Sequence, residues 1–378
     1  MHHEQRQRAH DLLRQHNLNR ALFAHPETIT WLTGFAPFVE LGQSPFIAGP
    51  SLVWYDSGHF TLIVLDSQAD LARDFAADPD ATLLTYDGYT IVQPIRAVAS
   101  MTGILHDLLA ASKGSGSVGL EQDMLTARQL HALQTALNTP AITPIDGWLK
   151  PLRMVKTAEE LVKIRRSFEL ADIGYPVVRE AVRPGAREID VWAALDSAIQ
   201  QAAGQRIPLG NDCVVSTRAN NIGGLPLNHH IHPGDSLIVD ISAIHQGYWS
   251  DGCRTFYATD PTPDQIQRHR FIQDALDYAI SLVKPGVKTN NIDAQVRAFI
   301  ERGGYPVYPH HTGHGIGVSG HEEPRIVPYN EVILEAGMVI LLEPGTYIPG
   351  QAACRLEDGL LVTTDGAEIL SHTSRNLE

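Results

Sequence analysis

The sequence predicts a two-domain protein in which an α/β domain of about 150 residues precedes a larger α+β domain. Three observations carry this. The 378 residues are about twice the length of a typical single domain. The first 150 alternate short apolar runs with helix-like stretches, whereas the remainder groups four helical stretches around strand pairs rich in Val, Ile and Leu.

In the first domain, Phe60-Thr-Leu-Ile-Val-Leu65 and Ala81-Thr-Leu-Leu-Thr-Tyr86 read as strands, and Met124 to Leu137 reads as a helix. Polar residues are scattered there without metal-ligand spacing. Gly114-Ser-Gly-Ser117 reads as a flexible loop, because no Lys-Ser/Thr follows to make it a phosphate cradle. A supporting or lid role is expected for residues 1–150. Turn formers and a helix breaker in Ile145-Asp-Gly-Trp-Leu-Lys-Pro151 mark the boundary near residue 150, and Thr157-Ala-Glu-Glu160 then sets a capping box. In the second domain, 151–378, helices are expected around 157–183, 188–203, 262–283 and 289–303.

Composition narrows the function. Lys plus Arg number 29 against 43 Asp plus Glu, a formal charge of −14, which disfavours nucleic acid and anionic lipid as partners. Small molecules fit better. Three unevenly spaced cysteines imply no disulfide framework, and no apolar run approaches a membrane span, so a soluble cytoplasmic protein is expected.

The chemistry concentrates in the second domain. Ser236 to Tyr257 reads as a β-hairpin with a turn at His245-Gln-Gly. A turn centred between His245 and Gln246 sets Asp240 opposite Asp251, ~5 Å apart. Asp240 lies between Val239 and Ile241, where an unpaired charge would cost several kcal/mol. A simple ion pair, with Arg254 for example, would explain one such Asp. A second pair of acids changes the balance: Glu343 and Glu357 are symmetric about Gly350 in another expected hairpin. Two such pairs suit a hard divalent cation. Between them, Pro309-His-His-Thr-Gly-His-Gly-Ile-Gly-Val-Ser-Gly-His-Glu-Glu-Pro324 offers imidazoles on a glycine-rich backbone that can approach a small centre. Two ions ~3.5–4 Å apart, held by four carboxylates and one imidazole, would activate water and polarise a carbonyl.

These motifs resemble the creatinase/prolidase/aminopeptidase P family of metallopeptidases, from Leu152-Arg-Met-Val-Lys156 to Gly366, with a creatinase-type N-terminal domain before it. The resemblance implies a pita-bread catalytic domain and two divalent metal ions (manganese, cobalt, zinc or iron) on Asp240, Asp251, His314, Glu343 and Glu357. Asp251 and Glu357 would bridge them. It further implies that Glu343 takes a proton from the attacking water. His310 and His321 would bind substrate and stabilise the tetrahedral intermediate, and Arg355 would organise substrate and metal site or pair with a site carboxylate.

The implied reaction is cleavage of the Xaa-Pro bond of dipeptides or short peptides, by a homodimer as in relatives. One departure bears on substrate. The family's peptidases carry a further histidine before the first Asp ligand, and counting back about seventeen residues from Asp240 lands on Gly223. His229, His230 or His232, in Asn228-His-His-Ile-His-Pro233, could substitute for it if the loop is shortened or folds back, with His229 the first choice. Gly223 keeps open a second reading, a hydrolase or lyase of another small amide or metabolite. A third, a non-catalytic binding protein, is disfavoured because clustered acids without metal repel one another. Creatinase is disfavoured because it lacks the metal ligands.

Overall fold

The computed structural model describes residues 2–37, 44–112, 116–210, 212–218 and 222–377; the expected loop at 114–117 lies partly outside them. The chain forms two compact units, Met1–Arg153 and Met154–Glu378. Among the described residues, no helix is long and apolar enough to cross a membrane.

The first unit is built on strands β1 (Arg20–Phe23), β2 (Leu52–Asp56), β3 (His59–Leu65), β4 (Ala81–Tyr86), β5 (Val118–Leu120) and β6 (Ile142–Pro144). They form one mixed sheet in the order β4-β3-β2-β1-β5-β6. Its helices are α1 (His3–Gln15), α2 (Pro26–Thr33), α3 (Arg73–Ala76), α4 (Ala97–Ala110) and α5 (Ala127–Ala136). Met101, Leu105 and Leu109, four apart on one face of α4, enter the core with Leu22, Trp54, Ile63 and Leu120 of the sheet. The parallel pairs β3/β4, β1/β5 and β5/β6 are those expected where helices cross over between strands.

After the short α6 (Lys150–Met154), the second unit contains α7 (Ala158–Ala181), α8 (Glu188–Ala203), α9 (Pro263–Ser281) and α10 (Thr289–Arg302). The expected capping box opens α7: Thr157 Oγ accepts from Glu160 N at 3.3 Å, and Glu160 Oε2 accepts from Thr157 N at 3.0 Å. Two helix pairs repeat one design. Pro184-Gly185 joins α7 to α8 and Pro285-Gly286 joins α9 to α10, with Gly185 at φ +89° and Gly286 at φ +88°, a conformation that glycine adopts without a Cβ penalty. Gly185 N donates to Ile231 O at 2.9 Å and Gly286 N to Leu334 O at 2.8 Å, and Ile231 N and Leu334 N return bonds to Ala186 O and Val287 O, both at 2.8 Å, so each connection is pinned by a reciprocal pair of backbone bonds to a distant loop.

The strands are β7 (Leu209–Gly210), β8 (Cys213–Val215), β9 (Ser236–Asp240), β10 (Ser242–His245), β11 (Tyr248–Trp249), β12 (Cys253–Tyr257), β13 (Gly313–Gly315), β14 (Glu322–Ile326), β15 (Val339–Leu342), β16 (Gly345–Thr346), β17 (Cys354–Arg355), β18 (Asp358–Val362) and β19 (Ala367–Ile369). They make sheets ordered β11-β10-β7, β12-β9-β8, β14-β13-β15-β18-β19 and β16-β17. Side chains alternate across a strand, and that alternation places the acids. Leu237, Val239 and Ile241 bury against Leu170, Val178, Val191 and Leu195 of α7 and α8, which turns Asp240 to the other face. Met338, Ile340 and Leu342 likewise bury with Ile272, Leu276, Ile292 and Val296 of α9 and α10, which turns Glu343 away from that core. Each helix pair covers one face of a hairpin and leaves the opposite face to carry carboxylates.

Candidate metal centre

Hairpin register decides which acids meet. Ile244 pairs with Trp249 and His245 with Tyr248, so the turn is the two-residue Gln246-Gly247, with φ of 51° and 81°, the type I′ geometry favoured in tight hairpins. Asp240 therefore stands opposite Cys253, two residues from the register the sequence suggests. A shift of two preserves the face. Asp251 remains on the Asp240 side as its diagonal neighbour, within hydrogen-bonding reach.

In the second hairpin Leu342 pairs with Asp358 and Gly345 with Arg355, which leaves Glu343 and Glu357 opposite each other, as their symmetry about Gly350 predicts. Their own amides are used elsewhere. Glu357 N donates to Cys253 O at 3.0 Å and Glu343 N to Thr312 O at 3.0 Å. The first bond locks the two hairpins together, and the second fastens the histidine segment to them.

The result is one buried cluster. Asp240, Asp251, Glu343, Glu357 and His314 are each at most 7% exposed, too little for water to neutralise four carboxylates. His314 Nε2 lies 3.8 Å from Asp251 Oδ2, 3.8 Å from Glu343 Oε1 and 3.9 Å from Glu357 Oε1. Burial and neighbouring carboxylates push the acid groups of Asp251 and Glu357 well above the ordinary range. Burial would also raise Glu343, but the hydrogen bond from His311 and the imidazoles around it outweigh that and lower it to about 2. Burial lowers His314 to about 3 and His310 to about 4, so both rings are neutral near neutral pH.

Ring hydrogen bonds distinguish the histidines. His314 Nδ1 is 2.9 Å from the Gly315 carbonyl, to which it can only donate, so Nε2 keeps its lone pair toward the acids. His310 Nδ1 donates in the same way to His311 O at 2.8 Å, leaving Nε2 to accept from Tyr347 Oη at 3.0 Å. His321 stacks on His314 with ring centroids 4.1 Å apart. Four carboxylates with one lone-pair imidazole form a donor set that fits divalent cations: bound positive charge would offset the burial and mutual repulsion that raise Asp251 and Glu357.

Arg355 answers the question of what neutralises Asp240. Its Nη2 donates to Asp240 Oδ2 at 2.7 Å and Asp212 Oδ2 at 3.1 Å, and its Nη1 to Ile222 O at 2.6 Å and Tyr347 Oη at 3.3 Å. Arg254, the cation first considered for that place, instead binds Asp358 Oδ1 at 2.7 Å and Glu357 O at 2.6 Å. His229 is not brought to the cluster. Its ring meets His232 with centroids 6.1 Å apart, and its carbonyl accepts from Glu188 N at 3.0 Å; the Arg187–His230 bridge ties this stretch to the start of α8. The place of the expected substitute is taken differently. A Cβ at Gly223 would overlap the Asp212 carboxylate, so Asp212 fills the space a side chain there would need.

Three contributors were not singled out from sequence: His311, Asp212 and Tyr347. His311 was legible only as the neighbour of His310. Asp212 and Tyr347 become visible through Arg355, which gathers Asp212 across 143 residues and Tyr347 across eight.

A buried, carboxylate-rich cluster with an imidazole, set between two hairpins of an α+β unit, is the kind of site found in metal-dependent enzymes, and the comparisons agree. The sequence matches metallopeptidase family M24 over residues 162–364 and the creatinase/prolidase N-terminal domain over residues 5–155. The chain belongs to metallopeptidase family M24. It is 27% identical to the Xaa-Pro dipeptidase of Pyrococcus furiosus over 364 residues, covering 96% of each chain. It is 32% identical to an uncharacterized peptidase of Staphylococcus aureus, covering 67% of this chain and 72% of that one. In structure it is similar to the prolidase from Pyrococcus horikoshii, with a TM-score of 0.82, 23% identity and coverage of 99% and 100%.

Proposed function

We propose that this metallopeptidase binds two divalent ions on Asp240, Asp251, His314, Glu343 and Glu357 and hydrolyses the Xaa-Pro bond of dipeptides or short peptides. The observation that carries the reading is the buried meeting of two acid pairs around the free Nε2 of His314. Bound there, the ions would activate water and polarise the scissile carbonyl. Asp251 and Glu357, both raised by burial and then by neighbouring carboxylates, would be the acids that serve both ions. Manganese, cobalt, zinc and iron all suit these donors.

The chain's own residues supply the rest. Glu343, ionised under working conditions, accepts the proton of the attacking water on its carboxylate and passes it toward the leaving amine. His321, on the outer side of His314, and His310, oriented by Tyr347, bind substrate and stabilise charge on the tetrahedral oxygen. Arg355 holds Asp240 in place and links the metal pocket to the Ile222-Gly223 segment. A cytoplasmic homodimer completes the reading, supported by three free, buried cysteines and by the family resemblance.

Asp212 in the space beside Gly223 favours a second reading, a hydrolase or lyase of another small amide, because among the described residues a carboxylate and not an imidazole stands there. Xaa-Pro dipeptides and longer Xaa-Pro peptides, offered to metal-free and reconstituted protein, separate the two. Metal-dependent release of the residue before proline supports the first. Metal binding with no cleavage across the panel rejects it and favours the second.

A further inference from the structure

His311 Nε2 lies 2.6 Å from Glu343 Oε1, and its Nδ1 lies 2.8 Å from Arg325 Nη2. A guanidinium has donors only and stays protonated, so Nδ1 must be the acceptor of that contact. An imidazole that accepts at Nδ1 carries its proton on Nε2. His311 therefore points an N–H at Glu343 and presents no lone pair to a cation. Although the ligand atoms of His311, His314 and His321 lie within 4.8 Å of one another, His311 is chemically unlike His314, whose Nδ1 donates and whose Nε2 is free.

The support reaches beyond the pocket. Arg325 stands on β14, and β14 pairs with β13, where Gly313 meets Ile326 and Gly315 meets Glu322. Its backbone N donates to Glu323 Oε2 at 2.9 Å, and its carbonyl accepts from Asn330 Nδ2 at 2.8 Å. The strand that carries Arg325 is thereby fixed against the strand that carries His314.

We propose that His311, held by Arg325 as the Nε2–H tautomer, is a positioning residue that fixes one oxygen of Glu343 so that the carboxylate is oriented toward a divalent cation. Partners of this kind orient ligands and set affinity, and their loss costs on the order of 10- to 100-fold in metal binding. The inference rests on the metal site proposed above but is independent of substrate.

The test is chelator competition with manganese(II) alone, on the full chain and four variants: His311→Leu, His311→Gln, Arg325→Met and the double variant His311→Leu/Arg325→Met. His311→Leu should weaken manganese binding by roughly 10- to 100-fold. His311→Gln, whose amide N–H can replace Nε2–H, should stay within a few-fold of the unaltered protein. Arg325→Met should weaken binding less than His311→Leu, and the double variant no more than His311→Leu, because Arg325 acts through His311. Unchanged affinity in His311→Leu would overturn the proposal, as would equal losses in the Leu and Gln variants or additive losses in the double variant. If His311→Leu does not fold, the Gln and Arg325→Met arms still decide: tight binding in the first with weakened binding in the second supports the proposal, and any other pairing overturns it. Failure of the unaltered protein to bind manganese, cobalt or zinc would instead reject the metal site itself.

Discussion

Replacing Arg355 with methionine should destabilise the second unit strongly without metal and less strongly with it. The Arg355 side chain is 2% exposed and that of Asp240 11%, so the pair is shielded from solvent. Removing the cation leaves the Asp240 and Asp212 carboxylates without this partner and takes away the donor to the Ile222 carbonyl, while Tyr347 Oη keeps its bond to His310. Breaking a buried pair from one side costs about 3–5 kcal/mol. At roughly 2–4 °C per kcal/mol for a unit of this size, the metal-free variant should melt about 6–20 °C below the metal-free parent. Divalent ions on Asp240 would supply part of the missing charge, so the gap should narrow once metal is restored. Thermal unfolding of both proteins, stripped and reloaded, measures this. The same shift in both states, or a shift under about 1 °C, would refute the coupling between Arg355 and the metal pocket.

Other variants separate ligands from substrate contacts. Asp251→Ala and Glu357→Ala should each abolish turnover together with bound metal, as metal analysis of the purified variants would show; full activity in either would contradict the site. His321→Ala should lower turnover by about 10²-fold or more with metal content near normal, and metal loss there would reassign it as a ligand. Metal affinity should rise with pH. Asp251 and Glu357 are raised well above the ordinary carboxylate range in the metal-free state, so on the acid side of their titration they hold protons that metal must expel. Calorimetry in buffers of different ionisation enthalpy should show proton release, and a pH-independent affinity without release would contradict the cluster's electrostatics. The same raised acids oppose folding of the metal-free protein as pH increases through their titration. His310 and His314, lowered to about 4 and about 3, oppose it as pH falls below their unfolded value of about 6.5, at up to ~1.4 kcal/mol per pH unit for each fully titrating group.

Much of this pocket could be read from sequence because hairpins convert spacing into proximity. Glu343 and Glu357 meet as their symmetry about Gly350 implies, since β15 and β18 keep that register from Leu342 to Val339. The first hairpin was displaced by two residues, because its tight turn uses Gln246-Gly247 rather than a centre before Gln246. The even displacement kept both aspartates on one face, so the chemical inference survived the geometric error. Helices 158–181, 188–203, 263–281 and 289–302 carry apolar periodicity, and Thr157 and Thr262 cap the first and third, which made them legible. His229 was misplaced because a local count cannot see the bridge that draws residue 230 to Arg187. The role of His311 depends on which ring nitrogen Arg325 occupies, a contact made through strand pairing that spacing alone does not reveal.

Hydrolysis of Xaa-Pro dipeptides by the purified protein, first stripped of metal and then reconstituted with manganese, cobalt or zinc, tests the central claim most directly. The account predicts no cleavage by the stripped protein and release of the residue before proline once metal returns. Cleavage that persists undiminished after complete removal of metal would contradict it.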